Sequence, residues 1–379
     1  MSRTVPLALT AAACVLAACA PDRHAPTSAA PPALAPLPPL PPEYHRDVLG
    51  SPDTVHSVAV AINASGAIVG TIGTSQLGFS PPMGVMWDAS GLPVALGNGL
   101  GLAPTDISDY GLITGNRAGR SWVYLTPTKW VQLPLPSGAT TTIAAAINWQ
   151  GTIVGEMTNR KGTQLPVRWM QVRGGRWSAV ALPLAAPWIA GGAVDINALG
   201  DISGWVSDGS GIDRAWVWYA DGQQQEVHKI ASHAGLRINN KQEVLLHTWN
   251  AHGVVEPTVV HAPSGDQSPK VGLPVGSVAS GLNDAGRVVG IAPVSLSFGG
   301  AFPDAPVTVL RGSARPAEDL PSSPAANVVP RGTASDVNIC GTAVGSLTRF
   351  GVGFRRAIRW ERIGDCDFDP APVLRVVPR

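Results

Sequence analysis

An all-β, seven-bladed β-propeller of four-stranded antiparallel blades, closed by an N-terminal strand, is the fold that this 379-residue sequence predicts. Three observations predict it: a composition crowded with turn formers, a short phrase that recurs seven times, and a last repeat whose missing strand is written near the N-terminus. The chain holds 43 Gly and 35 Pro, and only 14% of its residues are charged, so turns are plentiful and good helix formers few. Short strands are the expected product. With 45% hydrophobic residues and a formal net charge of +1, the chain can fill a core and falls outside the disordered, polyionic and nucleic-acid-binding classes.

Residues 1–18 carry one cation at Arg3 and then an apolar run from Val5 to Ala18, which is the length of a secretory h-region and too short for a bilayer span. The run ends on Leu16-Ala17-Ala18-Cys19, which resembles the lipobox of bacterial lipoproteins. That resemblance implies cleavage before Cys19, a diacylglyceryl group on its thiol, and membrane attachment through the N-terminal lipid. With Ala20 and not Asp behind the cysteine, it further implies sorting to the outer membrane, on its periplasmic or surface face. Residues 19–43 follow as a Pro-rich tether of polyproline type, with nothing to build a core from. The propeller occupies residues 44–379.

Within that span the chain writes an apolar run, an Ile-Asn-like pair, Gly three residues later and an apolar stretch that usually closes on Gly. The pairs are Ile62-Asn63, Ile107-Ser108, Ile147-Asn148, Ile196-Asn197, Ile238-Asn239, Leu282-Asn283 and Val337-Asn338, with Gln242 in place of the turn Gly in the fifth. Asn bonds its own backbone and Gly accepts a left-handed conformation, so each phrase predicts strand, tight turn, strand. A second apolar strand follows, bearing Trp87, Tyr124, Trp169, Trp218, Val260, Val309 or Trp360, and then a Leu or Ile near Gly or Pro at Leu96, Leu133, Leu182, Ile230, Leu273 and Leu320. The seventh repeat lacks this last strand, while Asp47-Val48-Leu49-Gly50-Ser51-Pro52 reads like Asp319-Leu320-Pro321-Ser322-Ser323-Pro324. A strand donated across the termini closes a ring and hides its sheet edges. A β-solenoid, the competing architecture, has shorter coils and no use for such a loan.

The Ile-Asn-x-x-Gly-x-Ile-Val-Gly phrase with its Ala-x-x-Trp strand resembles the HAF repeats of bacterial extracellular proteins, over residues 44 to 364. The resemblance implies a β-propeller outside the cytoplasm that serves as a binding scaffold. The His-Ala-Phe triplet itself is absent, its slots holding Met83-Gly84-Val85 or Arg214-Ala215-Trp216, and no catalytic residue is carried over.

Candidate chemistry is sparse. Cys340 and Cys366 remain after processing, and in an oxidising compartment they are expected to form a disulfide that staples the last blade. His228, His233, His247, His252 and His261 cluster in the divergent fifth repeat, but no helical pairing or carboxylate pattern goes with them, so no metal and no cofactor is expected. Trp149, Trp188, Trp205 and Trp249 fall in or near turns and are the ligand-binding candidates, whereas the Trp recurring in the third strand are core. The expected function is therefore a lipid-anchored, non-enzymatic binding or assembly scaffold of the bacterial cell envelope, its protein or glycan partner unknown and nucleic acid excluded. Two other readings stand beside it: a secreted carbohydrate-active hydrolase or lyase at the channel mouth, marked by two or more carboxylates converging with a Trp, and a purely structural envelope protein.

Because acylation needs the Cys19 thiol, Cys19→Ser is expected to abolish incorporation of labelled fatty acid and to release the protein from the detergent phase. Equal labelling of the variant refutes the lipobox reading.

Overall fold

The computed structural model describes residues 44–50, 55–73, 82–88, 90–97, 101–126, 128–267, 271–274, 276–295, 301–310, 318–320, 331–348 and 355–364. The expected signal segment, Cys19, the expected tether and Cys366 lie outside them.

Among the described residues, strands pair into seven four-stranded antiparallel sheets. The chain opens with β1 (Tyr44–Val48), and the first blade follows as β2 (His56–Ile62), β3 (Ile68–Gly73), β4 (Met83–Trp87) and β5 (Pro93–Ala95). Blade two is β6 (Ala103–Ile107), β7 (Ile113–Arg117), β8 (Arg120–Thr126) and β9 (Lys129–Gln132). Blade three is β10 (Ala139–Ile147), β11 (Ile153–Asn159), β12 (Gln164–Val172) and β13 (Arg176–Ala181). Blade four is β14 (Ala190–Ile196), β15 (Ile202–Ser207), β16 (Arg214–Trp218) and β17 (Gln224–Lys229). Blade five is β18 (Ser232–Ile238), β19 (Glu243–Trp249), β20 (Val255–His261) and β21 (Asp266–Gln267). Blade six is β22 (Val278–Leu282), β23 (Arg287–Ser295), β24 (Ala301–Leu310) and β25 (Glu318–Asp319). Blade seven is β26 (Arg331–Val337), β27 (Ala343–Thr348) and β28 (Arg355–Arg362), completed by β1. First strands of successive blades touch one another around the ring, so they line the channel.

Each Asn-x-x-Gly phrase is the turn between first and second strands. In the first blade the Gly66 N–H donates to the Asn63 carbonyl and the Asn63 N–H to the Ala67 carbonyl, with Gly66 at φ 83°. Gln242 takes the same left-handed place in blade five at φ 59°, where a side chain is strained. The Gly that closes the phrase has another cause. First strands carry a bulge at matching places, between Ala59 and Ala61 in blade one and between Ala334 and Asp336 in blade seven, which thrusts a carbonyl toward the second strand. A Cβ at Gly70 would lie 2.0 Å from the Val58 oxygen and 2.8 Å from the Trp87 ring, so only Gly fits.

The core is divided into layers between neighbouring blades. Trp87, Trp169 and Trp360 are fully buried and Trp218 nearly so. Three of these indoles also donate N–H to the linker leaving the preceding blade: Trp87 to Gly50, Trp169 to Pro134 and Trp218 to Pro183, at 3.0, 2.9 and 2.8 Å. One residue type thus fills the layer and ties down the chain that enters it, which is why Trp recurs there.

The ring closes as the sequence predicts. β1 runs antiparallel to β28, with Tyr44 opposite Arg362 and Val48 opposite Ile358. Leu49 N–H donates to the Ala357 carbonyl at 3.0 Å, the bond that Leu96, Leu133, Leu182 and Leu320 make in their own blades. Tyr44 O–H reaches the Gly341 carbonyl, and Arg359 Nη2 lies 2.7 Å from Asp47 Oδ2.

A chain beginning at Asp53 loses the buried Tyr44 and Leu49 together with the cover of the β28 edge. It is expected to be about 4 kcal/mol less stable than one beginning at Glu43, from burial of two large side chains. Denaturant unfolding of both measures the difference, and equal midpoints refute the closing role.

Candidate functional site

Seven turn residues ring one end of the channel, all buried: Asn63, Ser108, Asn148, Asn197, Asn239, Asn283 and Asn338. Each Asn works in two directions. Its Oδ1 accepts a backbone N–H of its own turn, as in Asn148 from Thr152 and Asn338 from Thr342 at 3.0 Å each. Its Nδ2 donates to the carbonyl of the corresponding residue in the next blade: Asn63 to Ser108, Asn148 to Asn197, Asn197 to Asn239, Asn239 to Asn283, Asn283 to Asn338, and Asn338 back to Asn63, at 3.0–3.3 Å. Ser108 interrupts the circle. Its shorter side chain holds its own turn through Leu112 N–H, and it carries no amide to pass on.

Deeper in the channel, Asp106, Asp195 and Asp336 bridge neighbouring blades. Asp106 accepts the N–H of Ile107 and of Ile147, Asp195 those of Ile196 and Ile238, and Asp336 those of Val337 and Ile62, all at 2.8–2.9 Å. These carboxyls touch the lumen but are enclosed by protein, and burial raises all three above the ordinary carboxylate range, Asp106 the most. The Arg237 charge opposes the shift at Asp195 and Asp336. With both oxygens committed to backbone, these acids hold the ring together and are poorly placed for catalysis.

At the turn end the channel opens into a cavity of about 200 Å³, whose wall includes Trp149, Asp109, Asn240 and Asp284. Trp149 is 40% exposed, yet its Nε1 donates to the Ala198 carbonyl of the next blade at 2.9 Å, and Tyr110 meets it edge-on at 6.2 Å. Tyr110, Trp149 and Leu199 thus expose large apolar surfaces on blades two, three and four, beside the carboxylate of Asp109. An indole fixed in position and open to solvent is a ready contact surface, because binding costs it little further rotamer entropy.

The remaining Trp candidates belong to the opposite end. Trp249 closes β19 and is 44% exposed. Trp188 is half-buried against Trp216, with ring centroids 5.5 Å apart. Trp205 departs from its expected place near a turn: it sits inside β15, is only 6% exposed, and stacks on His233. Cys340 lies in the β26–β27 turn, as expected.

The clustered histidines divide in role. Among the described residues no three His, Cys, Asp or Glu side chains are grouped to hold a metal ion. His247, which is buried, lies between the Ala234 carbonyl and the Ala279 N–H of the next blade, at 3.0 Å from each. Accepting at Nε2 fixes the neutral tautomer with its proton on Nδ1. Asn116 does the same work in blade two, with Nδ2 on the Ala144 carbonyl and Oδ1 on the Ala144 N–H. Both residues stand eight places after the turn residue. That position, also filled by Glu156 and Trp205, meets the next blade and holds a different residue in every repeat. Its variation is the signal in the sequence for the functional residues that the repeat pattern alone passes over.

Fold and channel together define the class: a seven-bladed β-propeller with a closed ring. No protein-family model matches the sequence, and no curated protein does. Among solved structures, the chain is similar to a catalytically inactive virginiamycin B lyase from Staphylococcus aureus with quinupristin, at 11% identity and TM-score 0.51, over 85% of this chain and 100% of that one. It is similar to the β-propeller domain of the Trilobed protease from Pyrococcus furiosus at 10% identity and TM-score 0.51, over 83% and 98%. A third is the acylaminoacyl peptidase of Pyrococcus horikoshii, at 9% identity and TM-score 0.51, over 83% of this chain and 52% of the peptidase. At these identities the likeness is one of fold. The Trilobed protease propeller is described as having an open velcro topology, whereas here β1 seals the ring.

Burial holds the His247 imidazole below its ordinary value of 6.5, so the unfolded chain takes up the proton first as pH falls. Its contribution is therefore whole above about pH 6.5 and is lost as pH drops toward the lowered folded value. The three channel carboxyls act with the opposite sign: raised in the fold, they favour it at low pH and cease to do so as pH rises through their folded values. His247→Asn, the residue blade two uses, is expected to lessen the loss of stability in acid. Melts between about pH 7 and pH 5 test this, and parallel curves for the two proteins refute it.

Proposed function

We propose that this chain is a lipid-anchored binding protein of the bacterial cell envelope, presenting the turn end of its ring to a protein or glycan partner. The single observation that carries the reading is Trp149, held by Nε1 on Ala198 yet 40% exposed over the channel cavity. An aromatic beside carboxylates and amides is the chemistry of interface hot spots and of sugar recognition alike. The lipobox at Cys19, the tether and the HAF-like phrases support the address. The expected Cys340–Cys366 bridge suits that oxidising compartment.

Cross-linking on intact envelopes, read by mass spectrometry, identifies the partner. Trp149→Ala is then expected to weaken binding by about 2 kcal/mol, roughly 30-fold, with circular dichroism unchanged. Trp149→Phe, which keeps a ring and loses the bond to Ala198, is expected to fall between the two, and Trp249→Ala on the other end to bind normally. Unchanged affinity in Trp149→Ala, or loss only in Trp249→Ala, overturns the assignment of this face.

A further inference from the structure

The end of the ring opposite the Trp149 mouth holds a second group of chemistry-bearing side chains, drawn from blades three, four and five. His233, near the start of β18, lies with Nε2 2.5 Å from Asp213 Oδ2, in the turn before β16. Its ring stacks on Trp205, with centroids 4.1 Å apart and planes 7° from parallel. The His233 side chain is 43% exposed and Asp213 26%. A half-exposed imidazole fixed by a carboxylate at one edge and an indole on one face is held far more closely than a surface histidine needs to be. With Nε2–H directed at Asp213, the lone pair of the neutral ring is on Nδ1, which has no hydrogen-bond partner among the described residues.

Glu156, on β11, completes the group. Gly192 makes room for it: a Cβ there would lie 2.6 Å from Trp205 Nε1 and 2.9 Å from Glu156 Oε2, so carboxyl and indole edge meet over a bare backbone. Glu156 Oε1 accepts from Gln164 Nε2 at 3.1 Å. Burial raises this carboxyl above the ordinary range, with the Gln164 hydrogen bond pulling the other way, which favours its protonated form. The same blade turns through Arg160 and Lys161, which border a cavity of about 490 Å³ with Asn159, Ser137 and Gly138.

We propose that His233 and Glu156 are the base and acid of a proton-transfer site that cleaves acidic, uronate-containing glycans by β-elimination, with Asp213 and Trp205 as positioning residues. Elimination is favoured over hydrolysis by the use of the carboxylates. Glycoside hydrolysis takes two of them at the scissile bond, and here Asp213 is committed to the imidazole. Arg160 and Lys161 follow Glu156 by four and five places, in the turn that closes β11, and offer positive charge on the same blade for a polyuronate. In the step, His233 Nδ1 takes the proton from the carbon bearing the uronate carboxylate. That C–H electron pair forms a double bond to the adjacent carbon, whose bond to the glycosidic oxygen breaks as Glu156 delivers its proton to that oxygen. The imidazolium then returns its proton through water to the Glu156 carboxylate, and both groups are restored.

The test incubates the full mature chain with polygalacturonate, polyglucuronate and polymannuronate in turn, following the ultraviolet absorbance of the conjugated alkene and the release of reducing ends. The expected result is alkene formation from at least one polymer, lowered about 100-fold or more in His233→Gln and in Glu156→Gln, with unchanged melts. In Asp213→Asn the nitrogen NMR of His233 is expected to show the Nδ1–H tautomer gaining, with kcat lowered and KM little changed; a merely structural Asp213 leaves the tautomer as it was. The alkene assay needs no protein partner, so failure of the partner-binding reading is distinguishable from failure here. Absence of alkene from all three polymers, activity that survives in His233→Gln, or reducing ends without alkene each overturn the proposal.

Discussion

In six of the seven blades one side chain satisfies two blades at once, and the closed ring depends on it. The turn Asn uses its oxygen to hold its own hairpin and its nitrogen to grip the carbonyl of the next hairpin, from Asn63 round to Asn338 and back. Neither bond alone is worth more than about 1 kcal/mol. Their effect comes from arrangement, since a turn that loses its Asn loosens its own blade and the seat of its neighbour together. The Trp linkers at Gly50, Pro134 and Pro183 do the same at mid-radius, so neighbouring blades are coupled at two distances from the axis.

Most of this architecture was legible in the sequence because it repeats. Asn-x-x-Gly marks a turn by local chemistry, the Trp marks a layer, and the borrowed strand shows in the likeness of Asp47-Val48-Leu49 to Asp319-Leu320. The interblade bonds were not legible, since a side chain that serves its own turn looks the same whether or not its amide reaches a neighbour. The closing Gly was visible as pattern only; its cause, a bulge carbonyl some 2 Å from where a Cβ would stand, is a fact of packing. Blade five shows the converse. Leu246 replaces that Gly, β18 pairs irregularly between Ser232 and Arg237, and His247 supplies the missing backbone contacts. Five clustered histidines looked like one feature in sequence and are several in space.

The two candidate sites illustrate the same limit. Trp149 is one of four candidate Trp in or near turns, and the fold leaves it 40% exposed. Glu156, Asp213 and His233 come from three separate repeats, and only the curvature of the ring brings them to one end. Each departs from the repeat where the repeat has no packing demand to meet, so the rigid frame is what leaves these positions open to chemistry.

The channel aspartates carry a consequence of plain arithmetic. Asp106 joins blades two and three, Asp195 four and five, Asp336 seven and one, and the sixth blade, with Gly281 at that place, is left single. Staples that consume blades in twos tile a ring of six or eight without remainder, never one of seven. Seven identical copies of a blade bearing the acid would crowd seven carboxylates on one lumen, while seven copies lacking it would offer no carboxylate to any of the amides that Asp106, Asp195 and Asp336 now serve. The irregularity of the repeats is thus demanded by parity, and a designer seeking a perfectly symmetric version of this ring must change either the number of blades or the staple.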